Sequence, residues 1–296
     1  MDAARALLNG ATELHVHSSP DVFPRLMNHA ELAQHLKEYG YRAVVLKCHC
    51  QGTADRIPFV RELVKGIEIY GSISLNYPVG GLNPFAVDTA LQYGAKVVWL
   101  PTVDAENHIR FYGGAGKNPV AESTKLPRFY SEAKGISVLD EQGRLRKELY
   151  DIMDLVLQKD VALALGHLSF GEMEVLLKAT QQAGLRKVLV DHPNLELMGR
   201  IPLEKQQELV RLGAKIEYPF VEVSPKLYSL SPKEVAFNIK TLGPENVLLT
   251  SDSGQLFSPP PGECMRLFVT LLLEQGVGED DIRTMLVKNT AEMIGL

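Results

Sequence analysis

Residues 12–17 read Thr12-Glu13-Leu14-His15-Val16-His17, and the fold class turns on how that hexapeptide is read. Alternating apolar residues led by a threonine make it a strand. Side chains two apart in a strand point the same way, so His15 and His17 leave its C-terminal end on one face. An amphipathic stretch follows, His29–Tyr39, then Gly40 and a second β-rich run, Ala43–His49. Strand, helix and strand in that order form the unit of a parallel sheet joined by crossover helices.

The unit repeats along the chain. Further strands are predicted at Ile67–Leu75, Ala95–Leu100, Val161–Gly166, Lys187–Asp191, Ala214–Tyr218 and Asn246–Ser251. Helices are predicted at Ala54–Val64, Pro84–Tyr93, Leu145–Lys159, Gly171–Ala183, Pro202–Leu212, Pro232–Leu242 and Gly262–Gln275. Several run into a glycine just before the next strand (Gly40, Gly94, Gly184, Gly213), where a left-handed residue turns the chain back. Eight such units predict an α/β fold, a (β/α)8 TIM barrel, with Asp281–Ile294 as an extra C-terminal helix. An open doubly wound sheet also accommodates eight parallel strands.

One connection breaks the rhythm. Some forty residues separate Leu100 from the helix near Leu145, and they include Gly113, Gly114, Gly116, Pro119 and Pro127. We read residues 103–144 or so as an insertion after the fourth strand, a lid, with a small hairpin from Ile136–Leu139 to Arg144–Arg146. No composition shift demands a second domain, so residues 1–296 are expected to form one.

The chain has 296 residues, 45% apolar and 23% charged, which excludes a disordered or fibrous protein. With 31 Lys and Arg against 36 Asp and Glu, the net charge is −5. That is the wrong balance for gripping nucleic acid or an anionic membrane. The three cysteines, Cys48, Cys50 and Cys264, form no disulfide framework. No apolar run approaches the ~18 residues of a membrane span, and no signal segment opens the chain, so a cytoplasmic protein is expected. The apolar helix around Met265–Leu273 serves either outer-ring packing or a subunit contact between copies of the chain.

In a barrel the chemistry belongs at the C-terminal ends of the strands, where loops open to solvent. There the first strand carries His15 and His17, the second Lys47 and His49, the fifth His167, the sixth Asp191 and His192, and the eighth Asp252. A single strand histidine is as readily a hydrogen-bonded packing residue as a ligand, but the joint pattern points to a metal. Imidazoles from His15, His17 and His167 with the Asp252 carboxylate would hold a zinc-like divalent ion and leave a position for water.

This set resembles the amidohydrolase superfamily of metal-dependent (β/α)8 barrels: an H-x-H on the first strand, a histidine ending each of the fifth and sixth, and an aspartate ending the eighth. The resemblance runs in order from residue 12 to about 253. It implies hydrolysis of an amide, cyclic amide, lactone or related ester in a small polar molecule by a metal-activated water. Asp252 would be the proton carrier, and His192 would either ligate a second ion or polarise the substrate oxygen. One ion, most simply Zn2+, is expected; two is the alternative. The chain departs from the family pattern at the end of the fourth strand, where Trp99-Leu100-Pro101-Thr102 replaces the bridging Lys or Glu of binuclear members. Lys47, sharing a face with His49, would then either become a carbamate ligand or bind a substrate anion as a cation.

Arg25, soon after the H-x-H, is read either as a partner for a substrate carboxylate or phosphate or as a surface residue paired with Asp21. His108 is read as an exposed loop residue, with reach into the site as the alternative. Cys48 and Cys50 point away from Lys47 and His49 by parity. Gly113-Gly114-Ala115-Gly116 matches no phosphate-binding loop, and Ser251-Asp252-Ser253 lacks a nucleophile elbow. A decarboxylase or phosphoesterase on the same site is the nearest alternative activity. A non-catalytic metal- or ligand-binding barrel is the alternative of another class.

Overall fold

The computed structural model describes residues 2–114 and 132–296. Among the described residues nine strand segments fill eight barrel positions: β1 Thr12–His17, β2 Ala43–Lys47, β3 Glu68–Tyr70, β4 Ser72–Ser74, β5 Val97–Trp99, β6 Ala162–Ala164, β7 Val188–Val190, β8 Ala214–Pro219 and β9 Val247–Thr250. All pair in parallel, β1 with β2 and β2 with β3, then β4 through β9 in order. The predicted third strand is split at Gly71, where a Cβ would overlap the Ala54 backbone. β3 and β4 are its two halves. Beyond β9 the chain returns to β1, with the Asp252 N–H donating to the His15 carbonyl at 2.8 Å and the His17 N–H to the Ser253 carbonyl at 2.9 Å. This is a TIM barrel.

The helices form where capping and periodicity put them. Helices His29–Glu38, Phe170–Ala183 and Pro232–Leu242 each begin at a capping box, Asn28 with Glu31, Ser169 with Glu172 and Ser231 with Glu234. Helix Pro261–Glu274 buries Met265, Phe268, Val269 and Leu272 against the barrel, so its apolar run is outer-ring packing. The predicted C-terminal helix is interrupted by a π-helical turn, Thr284–Lys288, between Glu279–Arg283 and Asn289–Ile294. No helix among the described residues is long and apolar enough to cross a membrane.

Strand alternation sorts side chains into two layers. Val44, Leu46, Val98, Leu100, Leu163, Val188, Val190 and Ile216 pack outward against helices, whereas Ala43, Val45, Val97, Trp99, Ala162, Ala164, Leu189 and Leu248 fill the interior. By the same parity Lys47, Asp191, Glu217 and Thr250 point inward. β1 carries one more residue than β2 between Glu13 and Val16, a bulge the alternation did not announce. Within the long connection, helix Glu106–Tyr112 forms, and Leu139 pairs with Leu145 in the predicted hairpin. The remainder of the expected lid, with Ala115, Gly116, Pro119 and Pro127, lies outside the described residues.

Candidate metal centre and substrate cavity

The C-terminal ends of the strands surround a cavity of about 310 Å3 whose lining includes His15, His17, Lys47, His49, His167, His192 and Asp252. Two of these residues sit on unusual backbone. His192 has φ 31° and Asp252 φ 43°, conformations costly for residues with a Cβ and concentrated at functional sites. In the case of Asp252, the strain turns the chain so that its carboxylate faces β1. Gly254, at φ 111°, follows so closely against the His17 carbonyl that no side chain fits.

At the cavity floor Asp252 Oδ1 lies 3.1 Å from His15 Nε2 and 3.2 Å from His17 Nε2. These three residues place one ligand atom each within 4.8 Å of one another. The far side of the His15 ring is held by Glu217, whose two carboxylate oxygens stand 2.9 and 3.0 Å from Nδ1. A carboxylate on one imidazole nitrogen fixes the tautomer so that the other nitrogen offers its lone pair, as in carboxylate–histidine–metal arrangements. Glu217 in turn accepts the Thr250 hydroxyl at 2.6 Å. Asp191, also buried, joins His15 and Glu217 in a second three-donor group.

The electrostatics match a site built around positive charge. Burial opposes the His15 imidazolium, yet the Asp252 and Glu217 carboxylates lift its pKa to about 9. Asp252 is desolvated, but His15 and His17 keep it ionised well below the usual carboxylate range. Lys47, fully buried, puts its Nζ 2.6 Å from His15 Nε2 and 4.0 Å from the Trp99 ring centre. Burial lowers its pKa, against the pull of Asp252, Asp191 and Glu217. The Lys47 amine therefore stands beside the nitrogen that would meet a metal. Two imidazole nitrogens, one carboxylate oxygen and a carboxylate behind the first imidazole fit a divalent ion.

His17, His49, His167 and His192 are held towards the neutral form. Burial and neighbouring cations push His17, His49 and His167 well below the ordinary imidazole value, and burial brings His192 down to about 4. The buried His192 Nδ1 and His17 Nδ1 have no hydrogen-bond partner among the described residues.

Some expected positions differ. His167 stands outside the three-donor set, and its Nδ1 lies 2.8 Å from Nδ1 of His108 with the two rings stacked. His108 is not an exposed loop residue: helix Glu106–Tyr112 folds inward over the β6 end and buries it to 1% exposure. Arg25 answers to both of its readings, donating from Nε and Nη2 to Asp21 Oδ2 at 2.8 and 2.7 Å while lining the cavity. Glu217 lies within β8 and not at its end, so no strand-end pattern marks it. Its signal was an acid among Ile216, Tyr218 and Pro219 at an inward position of an interior strand.

Comparison with known proteins bears on the family and the fold. A family model described as a family of unknown function (DUF6282) matches residues 10–217. The chain belongs to the DUF6282 family. No curated protein matches it by sequence. Among solved structures, the DUF6282 chain is similar to an amidohydrolase from Pseudomonas aeruginosa, at TM-score 0.62 and 10% identity over 99% of each chain. It is similar to a probable dipeptidase from the same organism, at TM-score 0.62 and 12% identity, over 99% of this chain and 96% of that one. A 2,6-dihydroxybenzoate decarboxylase aligns at TM-score 0.59 and 9% identity over 97% of this chain and all of the other. This DUF6282 member therefore shares its barrel fold with these proteins.

Proposed function

We propose that the protein is a metal-dependent hydrolase that cleaves an amide, cyclic amide, lactone or related ester in a small polar molecule. The observation that carries this reading is the meeting of His15, His17 and Asp252 at the floor of the strand-end cavity. Those three residues would hold one ion, and their mixed nitrogen and oxygen donors suit zinc. Because Glu217 occupies the other nitrogen of His15, a single ion is the simpler count. Such an ion supplies Lewis acidity and a water acidified towards neutral pH.

The protein's own groups divide the remaining work. Asp252, ionised and aimed at the two histidines, takes a proton from water and returns it to the leaving group. His192, a neutral imidazole on the same wall, polarises the substrate oxygen. Lys47, Arg25 and His49 bind the substrate. Phe23, Leu195, Leu197 and Val221 complete the lining with apolar surface, which excludes bulk water and strengthens every polar contact inside. A cavity of about 310 Å3 and an overall charge of −5 favour a small molecule over a polymer. Three free cysteines support a reducing, cytoplasmic setting.

The deciding experiment pairs elemental analysis of purified protein with a chelator-sensitive screen on amides, lactones, phosphate esters and aromatic carboxylic acids. We expect one zinc per chain and hydrolysis of a carbonyl substrate that a chelator abolishes. Release of carbon dioxide without hydrolysis would replace the reading with a decarboxylase, and bound metal with no turnover on any class would favour a sensor.

A further inference from the structure

A chain of buried hydrogen bonds lies behind His49 and determines which of its ring nitrogens carries the proton. Asn76 and Thr102 are fully buried. Asn76 Oδ1 faces the backbone N–H groups of Thr102 and Asp104 at 2.9 and 3.2 Å, which only an oxygen can accept. The amide is thereby oriented, and its Nδ2 donates to the His49 carbonyl at 2.9 Å and to Thr102 Oγ1 at 2.7 Å. Thr102 Oγ1 thus receives one hydrogen and has its own to place. His49 Nδ1, 2.8 Å away, is its acceptor among the described residues. Were Nδ1 protonated instead, the Thr102 hydroxyl hydrogen would be buried with nowhere to go. A neutral ring that accepts at Nδ1 carries its hydrogen on Nε2, and Nε2 has no protein partner among the described residues while the ring lines the cavity.

Beside this donor stands Arg25. Phe23 neighbours both, its ring edge-on to His49 at 5.9 Å between centres and 5.8 Å from the Arg25 guanidinium carbon. Asp21 accepts from Nε and Nη2 of Arg25 and offsets much of its charge. The wall therefore offers one partly neutralised guanidinium and one uncharged N–H, which suits a monoanion with two acceptor oxygens better than a phosphate dianion.

We propose that this wall recognises a carboxylate on the substrate, taken by Arg25 and the His49 Nε2–H, with Thr102 and Asn76 as positioning residues that set the His49 tautomer. The proposal rests on the same cavity being the substrate pocket, and narrows the hydrolase reading to carboxylate-bearing substrates.

The test uses the full-length protein with its metal retained, labelled with 15N-histidine, and reads the ring tautomers by long-range proton–nitrogen NMR. We expect His49 in the Nε2–H form in wild type and in Thr102→Ser, and a mixture or the opposite tautomer in Thr102→Val. Butyrate titrated in the same samples should perturb His49 Nε2 and bind at least tenfold more tightly than butyramide or inorganic phosphate. That preference should fall at least tenfold in Arg25→Met and Thr102→Val and survive in Thr102→Ser. Wild-type protein showing Nδ1–H or a doubly protonated His49, phosphate binding as tightly as butyrate, or butyrate affinity indifferent to both variants would each overturn the proposal. The wild-type readings decide the matter even if Thr102→Val fails to fold. The two readings also fail separately. Butyrate selectivity without turnover on any substrate would sink the hydrolase alone, and hydrolysis of uncharged amides without butyrate selectivity would sink the carboxylate subsite alone.

Discussion

Both carboxylate oxygens of Glu217 stand against Nδ1 of His15, at 2.9 and 3.0 Å, from a strand 202 residues away in sequence. The contact orients the imidazole and enriches its other nitrogen as a donor. Glu217→Gln keeps the shape and removes the charge. Metal affinity, measured by competition with a chromophoric chelator, should fall about 10–100-fold, with circular dichroism unchanged. An unaltered affinity would remove Glu217 from the centre.

Asp252→Asn addresses the proton carrier. Its amide cannot accept a proton from water, so kcat on whichever substrate the screen identifies should drop by roughly 10²–10⁴. The far-ultraviolet spectrum should remain that of the wild type. Full turnover in the purified variant would refute the role.

Gly254→Ala tests the turn that brings Asp252 into place. The position has φ 111°, and a methyl group there would strike the His17 carbonyl. Strain of this kind costs on the order of 1–3 kcal/mol before any clash is counted. The urea midpoint should fall, and metal content should fall with it, because His17 and Asp252 are displaced together. An alanine variant as stable and as fully metallated as wild type would show that the turn is not tight.

Asp104 yields a pH dependence. Burial raises its pKa to about 6 in the fold, against the Tyr77 backbone N–H that it accepts at 2.9 Å. A carboxyl raised above its unfolded value of 3.8 favours the folded state when protonated, and that contribution is lost as pH rises from about 4 to about 6. Asp104→Asn cannot ionise. Its unfolding free energy relative to wild type, from urea titrations, should therefore improve by up to about 1.4 kcal/mol per pH unit across that window and level off above it. A difference that stays flat from pH 4 to 7 would contradict the assignment.

Much of the architecture was legible locally. The hexapeptide at 12–17 is β1 to the residue, and helix Pro232–Leu242 begins and ends where the sequence predicts. His15, His17 and Asp252 could be picked out because each ends a strand, and strand ends converge in any barrel. His108 went the other way: a histidine in a Gly-rich connection carries no periodic signal, and its burial depends on where a short helix lands. The bulge in β1 was equally silent, since one extra residue in a strand shows only against the partner it pairs with.

The sequence by itself determined the order of strands and helices, the inward or outward parity of most strand residues, and the set of side chains delivered to one rim. Those properties are set by short-range periodicity, capping and turn chemistry. Only the tertiary structure decided that Glu217 backs His15, that His167 turns to His108, and that Asn76 and Thr102 orient His49. Each of these is a contact between separate strands or loops, and its distance is defined only once the barrel closes and brings remote segments of the chain within a few ångströms of one another.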